Sequence, residues 1–220
     1  MRIRPIIGTL TLLGAALGPV AAAGPAHADS ATCRDQKSGL NLTVTKPGTP
    51  DADALLLIQT DVSSGLDGDD WFFHDAVEDS PFSSDVVICG DAGSDSIGFI
   101  NSPARGTLSV LGGDDGDSIR GGGNGDILNG NKGTDTIWGL DGDDHILGEG
   151  GVDTLHGGLG KDDIRGGDDN DNLFGNEGDD TINGDNGWDL IDGGPGHDTC
   201  YGEVTVNCEF PPSAARPEKS

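Results

Sequence analysis

Gly112-Gly-Asp-Asp-Gly-Asp-Ser-Ile-Arg120 is followed, without insertion or deletion, by nine further nine-residue units that end at Tyr201. GNKGTDTIW (Gly130–Trp138) and GGLGKDDIR (Gly157–Arg165) are typical copies. Position 1 is Gly in all ten units, and position 6 is Asp in all ten: Asp117, Asp126, Asp135, Asp144, Asp153, Asp162, Asp171, Asp180, Asp189 and Asp198. Position 8 is Ile or Leu in nine units and Cys200 in the last. A fixed apolar residue every nine positions is not expected of a disordered acidic linker, although the Gly and Asp content alone would allow one.

The unit reads as a turn over positions 1 to 6 and a short strand over positions 7 to 9. Gly at positions 1 and 4 permits φ > 0, and the exceptions at position 4, Asp115, Asn124 and Asp169, are of residue types that tolerate that region best. Alternation in the strand sends position 8 to one face and positions 7 and 9 to the other. Two units make one coil, and stacked coils set equivalent residues about 4.8 Å apart. The expected fold is all-β, a parallel β-roll. Its core is the position-8 row, and its carboxylates fall into two columns. Asp117, Asp135, Asp153, Asp171 and Asp189 form one column, with Asp117 at its end; Asp126, Asp144, Asp162, Asp180 and Asp198 form the other.

Bare carboxylates at that spacing repel. A hard cation between successive turns reverses the sign, because calcium takes six to eight oxygens from carboxylates and backbone carbonyls alike. Four gaps in each column give about eight ions. The pattern G-G-x-G-x-D-x-U-x is that of calcium-binding β-helix repeats. The chain here resembles the RTX (repeats-in-toxin) family, also called hemolysin-type calcium-binding repeats, over 90 of its 220 residues. The resemblance implies an RTX-type β-roll solenoid with Ca2+ as its cofactor and the ten position-6 aspartates as metal ligands.

The formal net charge of -27 argues against nucleic acid and anionic lipid as partners and favours cations. Residues 1–28 read as a secretory signal peptide. Arg2 and Arg4 precede an apolar stretch from Ile6 to Val20, and Ala26-His27-Ala28 is a small-x-small cleavage site. No other segment reads as a membrane span. The family's toxins and proteases usually carry a C-terminal, uncleaved signal; here the tail Pro211–Ser220 is Pro-rich and polar, which points to the general secretory route. The expected location is secreted, extracellular or at the cell surface. Cys33, Cys89, Cys200 and Cys208 then read as two disulfides, Cys200–Cys208 closing the end of the roll and Cys33–Cys89 tying down the N-terminal part.

Residues 29–111 form a β-rich N-terminal region with degenerate repeats. GDAGSDSIG (Gly90–Gly98) places Asp95 at position 6, and GLDGDDWFF (Gly65–Phe73) places Asp70 there, so both join the candidate calcium ligands. A separate small β-sandwich is the alternative for this region. The roll proper spans 112–201, and 202–220 is a C-terminal cap and tail with a short strand over Glu203–Asn207.

No His-Glu-x-x-His, Gly-x-Ser-x-Gly or phosphate-binding loop occurs, so no catalytic residue is assigned. The expected function is extracellular calcium binding that drives folding, in a non-enzymatic structural or adhesive module. An ice-binding surface needs a regular rank of Thr, and the row Ser118, Thr136, Thr154, Asn172, Leu190 is too irregular. One further feature is a stripe at position 9, Trp138, His156 and Phe174, flanked by Arg120 and Asp192. It suggests either stabilising cross-strand neighbours or an outward platform for a cell-surface glycan or a partner protein.

Overall fold

The computed structural model describes residues 32–34, 41–43, 46–47, 54–57, 62–64, 68–74, 86–99 and 107–209, with side chains for 68–72, 87–98 and 107–209. The expected signal peptide, residues 1–28, and the tail beyond residue 209 lie outside the described residues. Among the described residues every regular element is a strand.

Two nine-stranded parallel sheets face each other. One runs from Ala54–Leu57 to Val204–Val206, the other from Lys46–Pro47 to Thr199–Tyr201. Each strand pairs with the strand two ahead of it in the chain, so the backbone alternates between sheets and every second strand completes a coil. Within the repeats the register is a shift of 18 residues, with Ile137 against Leu155 and Ile146 against Ile164. Both sheets continue upstream of Gly112 with the same parallel pairing: Val86–Ala92 pairs with Leu108–Asp114, and Trp71–His74 with Ser96–Phe99. A two-stranded antiparallel sheet, Thr32–Arg34 with Asn41–Thr43, precedes them.

The core is the expected position-8 row. Ile119, Leu128, Ile137, Ile146, Leu155, Ile164, Leu173, Ile182, Ile191 and Cys200 form one buried cluster, which Phe72, Ile88, Ile97, Leu108 and Val110 extend upstream. One aliphatic side chain per nine residues makes the core a single file. At roughly 1.5–3 kcal/mol for each buried aliphatic side chain, it stabilises only weakly against the entropy of ordering so many glycines.

Two expectations need correction. The strands are longer than three residues: Thr136–Asp141 and its equivalents run through positions 7 to 9 and on into positions 1 to 3 of the next unit. The left-handed backbone falls at positions 2 and 4, and not at position 1. Position 4 behaves as expected at Asp115 (φ 77) and Asp169 (φ 78), while Asn124 is not in that region. At position 2 even Leu140 (φ 81) and Glu149 (φ 76) adopt it. Pairing skips the preceding glycine, passing from Trp138↔His156 to Leu140↔Gly158, so the strand turns a corner there.

The C-terminal end is closed by a disulfide between Cys200 and Cys208, with Val204–Val206 as the last strand. Cys89 is also disulfide-bonded, and the side chain of its expected partner Cys33 lies outside the described residues.

Candidate metal centre

The position-6 aspartates point into the fold. None of the ten is more than 3 % exposed, and the same holds for Asp70 and Asp95. Each N–H in a column donates to the carboxylate one coil ahead. Asp117 donates to Asp135 Oδ1 (2.7 Å), Asp135 to Asp153 (2.8 Å), Asp153 to Asp171 (2.8 Å) and Asp171 to Asp189 (3.0 Å). In the other column Asp126 donates to Asp144 (2.7 Å), Asp144 to Asp162 (2.9 Å), Asp162 to Asp180 (2.9 Å) and Asp180 to Asp198 (2.9 Å). The carboxylates are therefore not bare: one oxygen of each holds the coils together.

The first column does not end at Asp117. Asp95 N–H donates to Asp117 Oδ1 and Asp70 N–H to Asp95 Oδ1, both at 2.8 Å, so Asp70 and Asp95 stand in the same column despite coils of 22 and 25 residues. At the far end Asp189 N–H faces Glu203 Oε2 at 3.4 Å, a glutamate where every other coil has an aspartate. Position 6 of the sequence gives no hint of Glu203.

The second oxygen is different. In Asp95, Asp117, Asp135, Asp144, Asp153, Asp162, Asp171, Asp180 and Asp198, Oδ2 is buried with no hydrogen-bond donor. Asp126 is the exception, since Gly122 N–H donates to its Oδ2 at 2.7 Å. This oxygen lies over the position-1 glycine of its own unit. A Cβ on Gly148 would collide with Asp153 Oδ2 on one side and the Gly166 carbonyl on the other, and one on Gly139 with Asp144 Oδ2 and the Gly157 carbonyl. Glycine is thus required at position 1 for space. Two acceptors, a carboxylate oxygen and a carbonyl oxygen from the next coil, converge there without a proton between them. Acceptors buried this way cost free energy until a cation or a proton meets them.

The titration behaviour shows the same frustration. Burial, opposed by the backbone hydrogen bond and reinforced by the neighbouring aspartates, pushes Asp117 and Asp144 up to about 8 and Asp171 to about 7. Asp95 is likewise raised to about 7. Burial raises Asp153, Asp162 and Asp180 to about 6 against the same kind of hydrogen bond, and Asp126 to about 6 against hydrogen bonds from Leu108 and Gly122. Folded-state values above the unfolded value of 3.8 mean that the folded chain binds more protons between pH 4 and 8. Proton-linked stability is complete below about pH 4 and is lost as pH rises through 6 to 8. In chelator, the metal-free chain is therefore expected to gain β-structure on acidification from pH 8 to pH 5. Circular dichroism would measure this, and a flat response would contradict it.

Among the described residues no three acidic, imidazole or thiolate side chains converge on one point. A cation here must take much of its shell from backbone carbonyls, which suits calcium, a hard ion with oxygen ligands and flexible geometry. It does not suit zinc, which prefers a closed set of nitrogen and sulfur ligands. The residues present fit calcium: Asp117, Asp135, Asp144, Asp153, Asp162, Asp171, Asp180 and Asp198 each supply a buried carboxylate oxygen lacking a donor, and glycine turns bring carbonyls beside it.

Trp138, His156 and Phe174 form a ladder on one sheet. Ring centroids are 6.0 Å apart for Trp138–His156 and 4.6 Å for His156–Phe174, with planes within 5° and 9° of parallel. Burial lowers the His156 pKa and so favours the neutral imidazole, against a side-chain hydrogen bond with Asn176 that raises it. The rings cover one another's faces and present edges to solvent. A sugar platform requires open faces, so the stacking favours a structural part for the stripe.

Residues 109–137, 129–164 and 165–200 match the family model of the RTX calcium-binding nonapeptide repeat. No curated protein matches the chain. The array is a run of RTX calcium-binding repeats in a β-solenoid, and its cofactor is Ca2+.

Proposed function

We propose that this is a secreted structural module in which calcium, bound between stacked turns, drives folding of the roll. The buried Oδ2 atoms without donors carry the reading: nine aspartates hold one oxygen in a hydrogen bond and a second one ready for a cation. The proposed ligands are Asp117, Asp126, Asp135, Asp144, Asp153, Asp162, Asp171, Asp180, Asp189 and Asp198, completed by turn carbonyls. Asp95 and Asp70 are proposed for the upstream coils, because the inter-coil hydrogen bonds place them in the first column.

Equilibrium dialysis tests the count. About eight ions are expected from the ten repeats, and up to about ten if the Asp70–Asp95 and Asp95–Asp117 gaps also fill. One or two ions would contradict the stacked-column arrangement.

Export by the general secretory route is supported by the N-terminal sequence and by the disulfides, which persist in oxidising compartments. Among the described residues no helix is long and apolar enough to cross a membrane. The site contains carboxylates and carbonyls but no nucleophile–base pair, and we read the module as non-enzymatic, structural or adhesive. A glycan platform along the stripe is not favoured, because both faces of Trp138 and His156 and one face of Phe174 are covered.

A further inference from the structure

The ladder has two ends, and they differ. At the N-terminal end Arg120 lies over Trp138, its Cζ 4.8 Å from the ring centroid, and closes that face of the stack with a guanidinium. At the other end the next rung after Phe174 is Asp192, in register with it on the neighbouring strand. A depression of about 470 Å³ opens there, lined by Phe174, Asn176, Asp192, Gly194, Pro195 and Asn207. Asn207 Nδ2 donates to Asp192 Oδ1 at 2.7 Å, which fixes the carboxylate on one side. A carboxylate offers about four acceptor sites, so room remains for further donors.

An aromatic ring above a tethered carboxylate is what a guanidinium fits. Its plane stacks on the ring and its fork of N–H groups donates to the carboxylate in parallel. An ammonium has neither the plane nor the fork. The arrangement repeats what the molecule already does with Arg120 and Trp138 at the opposite end. The chain, of formal net charge -27 without metal, stays net negative with about eight calcium ions bound and still attracts basic partners.

We propose that this depression binds an arginine side chain presented by a partner polypeptide, so that the roll docks basic proteins through the C-terminal end of its aromatic ladder. The proposal rests on the calcium-folded roll, and its test separates the two.

The calcium-loaded protein is titrated with three short blocked peptides that carry arginine, lysine or citrulline between glycines, and followed by NMR. The arginine peptide is expected to shift Phe174, Asp192 and the Asn207 side-chain amide, with lysine about tenfold weaker and citrulline silent. Asp192→Asn and Phe174→Leu should each weaken arginine binding about tenfold while the calcium-induced circular dichroism change stays intact. Lysine binding as tightly as arginine, or shifts spread over the acidic turns, would reduce the effect to bulk charge and overturn the proposal. So would full binding by Asp192→Asn. A methyl pyranoside that shifts the same signals more strongly than arginine would also overturn it, in favour of a sugar site. Should Phe174→Leu not fold, the peptide series and Asp192→Asn decide alone. Absence of any calcium-induced fold in the parent chain would count against the calcium reading instead.

Discussion

Gly148→Ala is expected to abolish or severely weaken calcium-induced folding, while Gly150→Ala, two residues away, leaves it nearly unchanged. Both glycines lie on the same strand, and neither has a positive φ. They differ in what a methyl group would meet. At Gly148 it would strike the Asp153 carboxylate and the Gly166 carbonyl, one a metal-ligand candidate and the other backbone of the next coil. At Gly150 the nearest atom is the Asn131 carbonyl oxygen at 3.7 Å, an ordinary contact. Overpacking costs about 1–3 kcal/mol where side chains can yield. Here the neighbours are backbone and a buried carboxylate, so the upper end applies and calcium affinity falls with it. Calcium titrations of the two variants measure the difference, and equal midpoints would contradict the packing described.

Asp153→Asn is expected to act in opposite directions with and without calcium. Asp153 Oδ1 accepts the Asp135 N–H, and an amide oxygen can keep that bond. The second oxygen becomes an NH2 group. In chelator this replaces a buried charged acceptor, already pushed up to about 6 by burial, with a neutral donor on the side of the Gly166 carbonyl. The metal-free variant should therefore be no less structured than the parent at pH 7, and more structured at pH 8. In calcium the lost charge removes a ligand from two successive gaps, and the variant should require more calcium and melt lower. At free calcium ten times its Kd, one site contributes about 1.4 kcal/mol, so loss of two gaps costs about 3 kcal/mol. Melting curves in chelator and in calcium give both signs. A variant destabilised equally in the two conditions would show that the carboxylate acts only through its hydrogen bond. Asp117 is not the mild end-of-column comparison that the repeat array implies, because Asp95 continues the column beyond it. Asp198, the last aspartate of its column, serves that purpose better.

The nine-residue frame was enough to read the coil, the parallel sheets, the position-8 core and the two aspartate columns, because each follows from periodicity alone. The reason for glycine at position 1 was not legible, since it lies in a contact between coils 18 residues apart and leaves no mark on the local backbone. Position 4 takes positive φ as expected, at Asp115, Gly133 and Asp169 among others, but position 1 does not, and position 2, which carries Leu140 and Glu149, does not look like a left-handed position in the sequence. Asp70 and Asp95 fit position 6 of the unit, although coils of 25 and 22 residues hide their place in the column. Glu203 stands where an aspartate would, but outside the nine-residue frame, so the repeat gives no sign of it. The aromatic stripe was read correctly in position, but sequence spacing carries no information on ring planes, and it is the stacking that disfavours an open platform.

The measurement that tests the central claim most directly is far-UV circular dichroism of residues 29–220 at pH 7.5, first in chelator and then through a calcium titration to the millimolar range, where sites with Kd of about 10⁻⁴–10⁻³ M fill. About eight sites at ten times their Kd supply about 11 kcal/mol, the size of a whole domain's stability. The expected result is a largely disordered chain in chelator that becomes β-rich cooperatively as calcium rises and reverts when chelator is returned. A β-rich spectrum that is the same in chelator and in calcium would contradict calcium-driven folding.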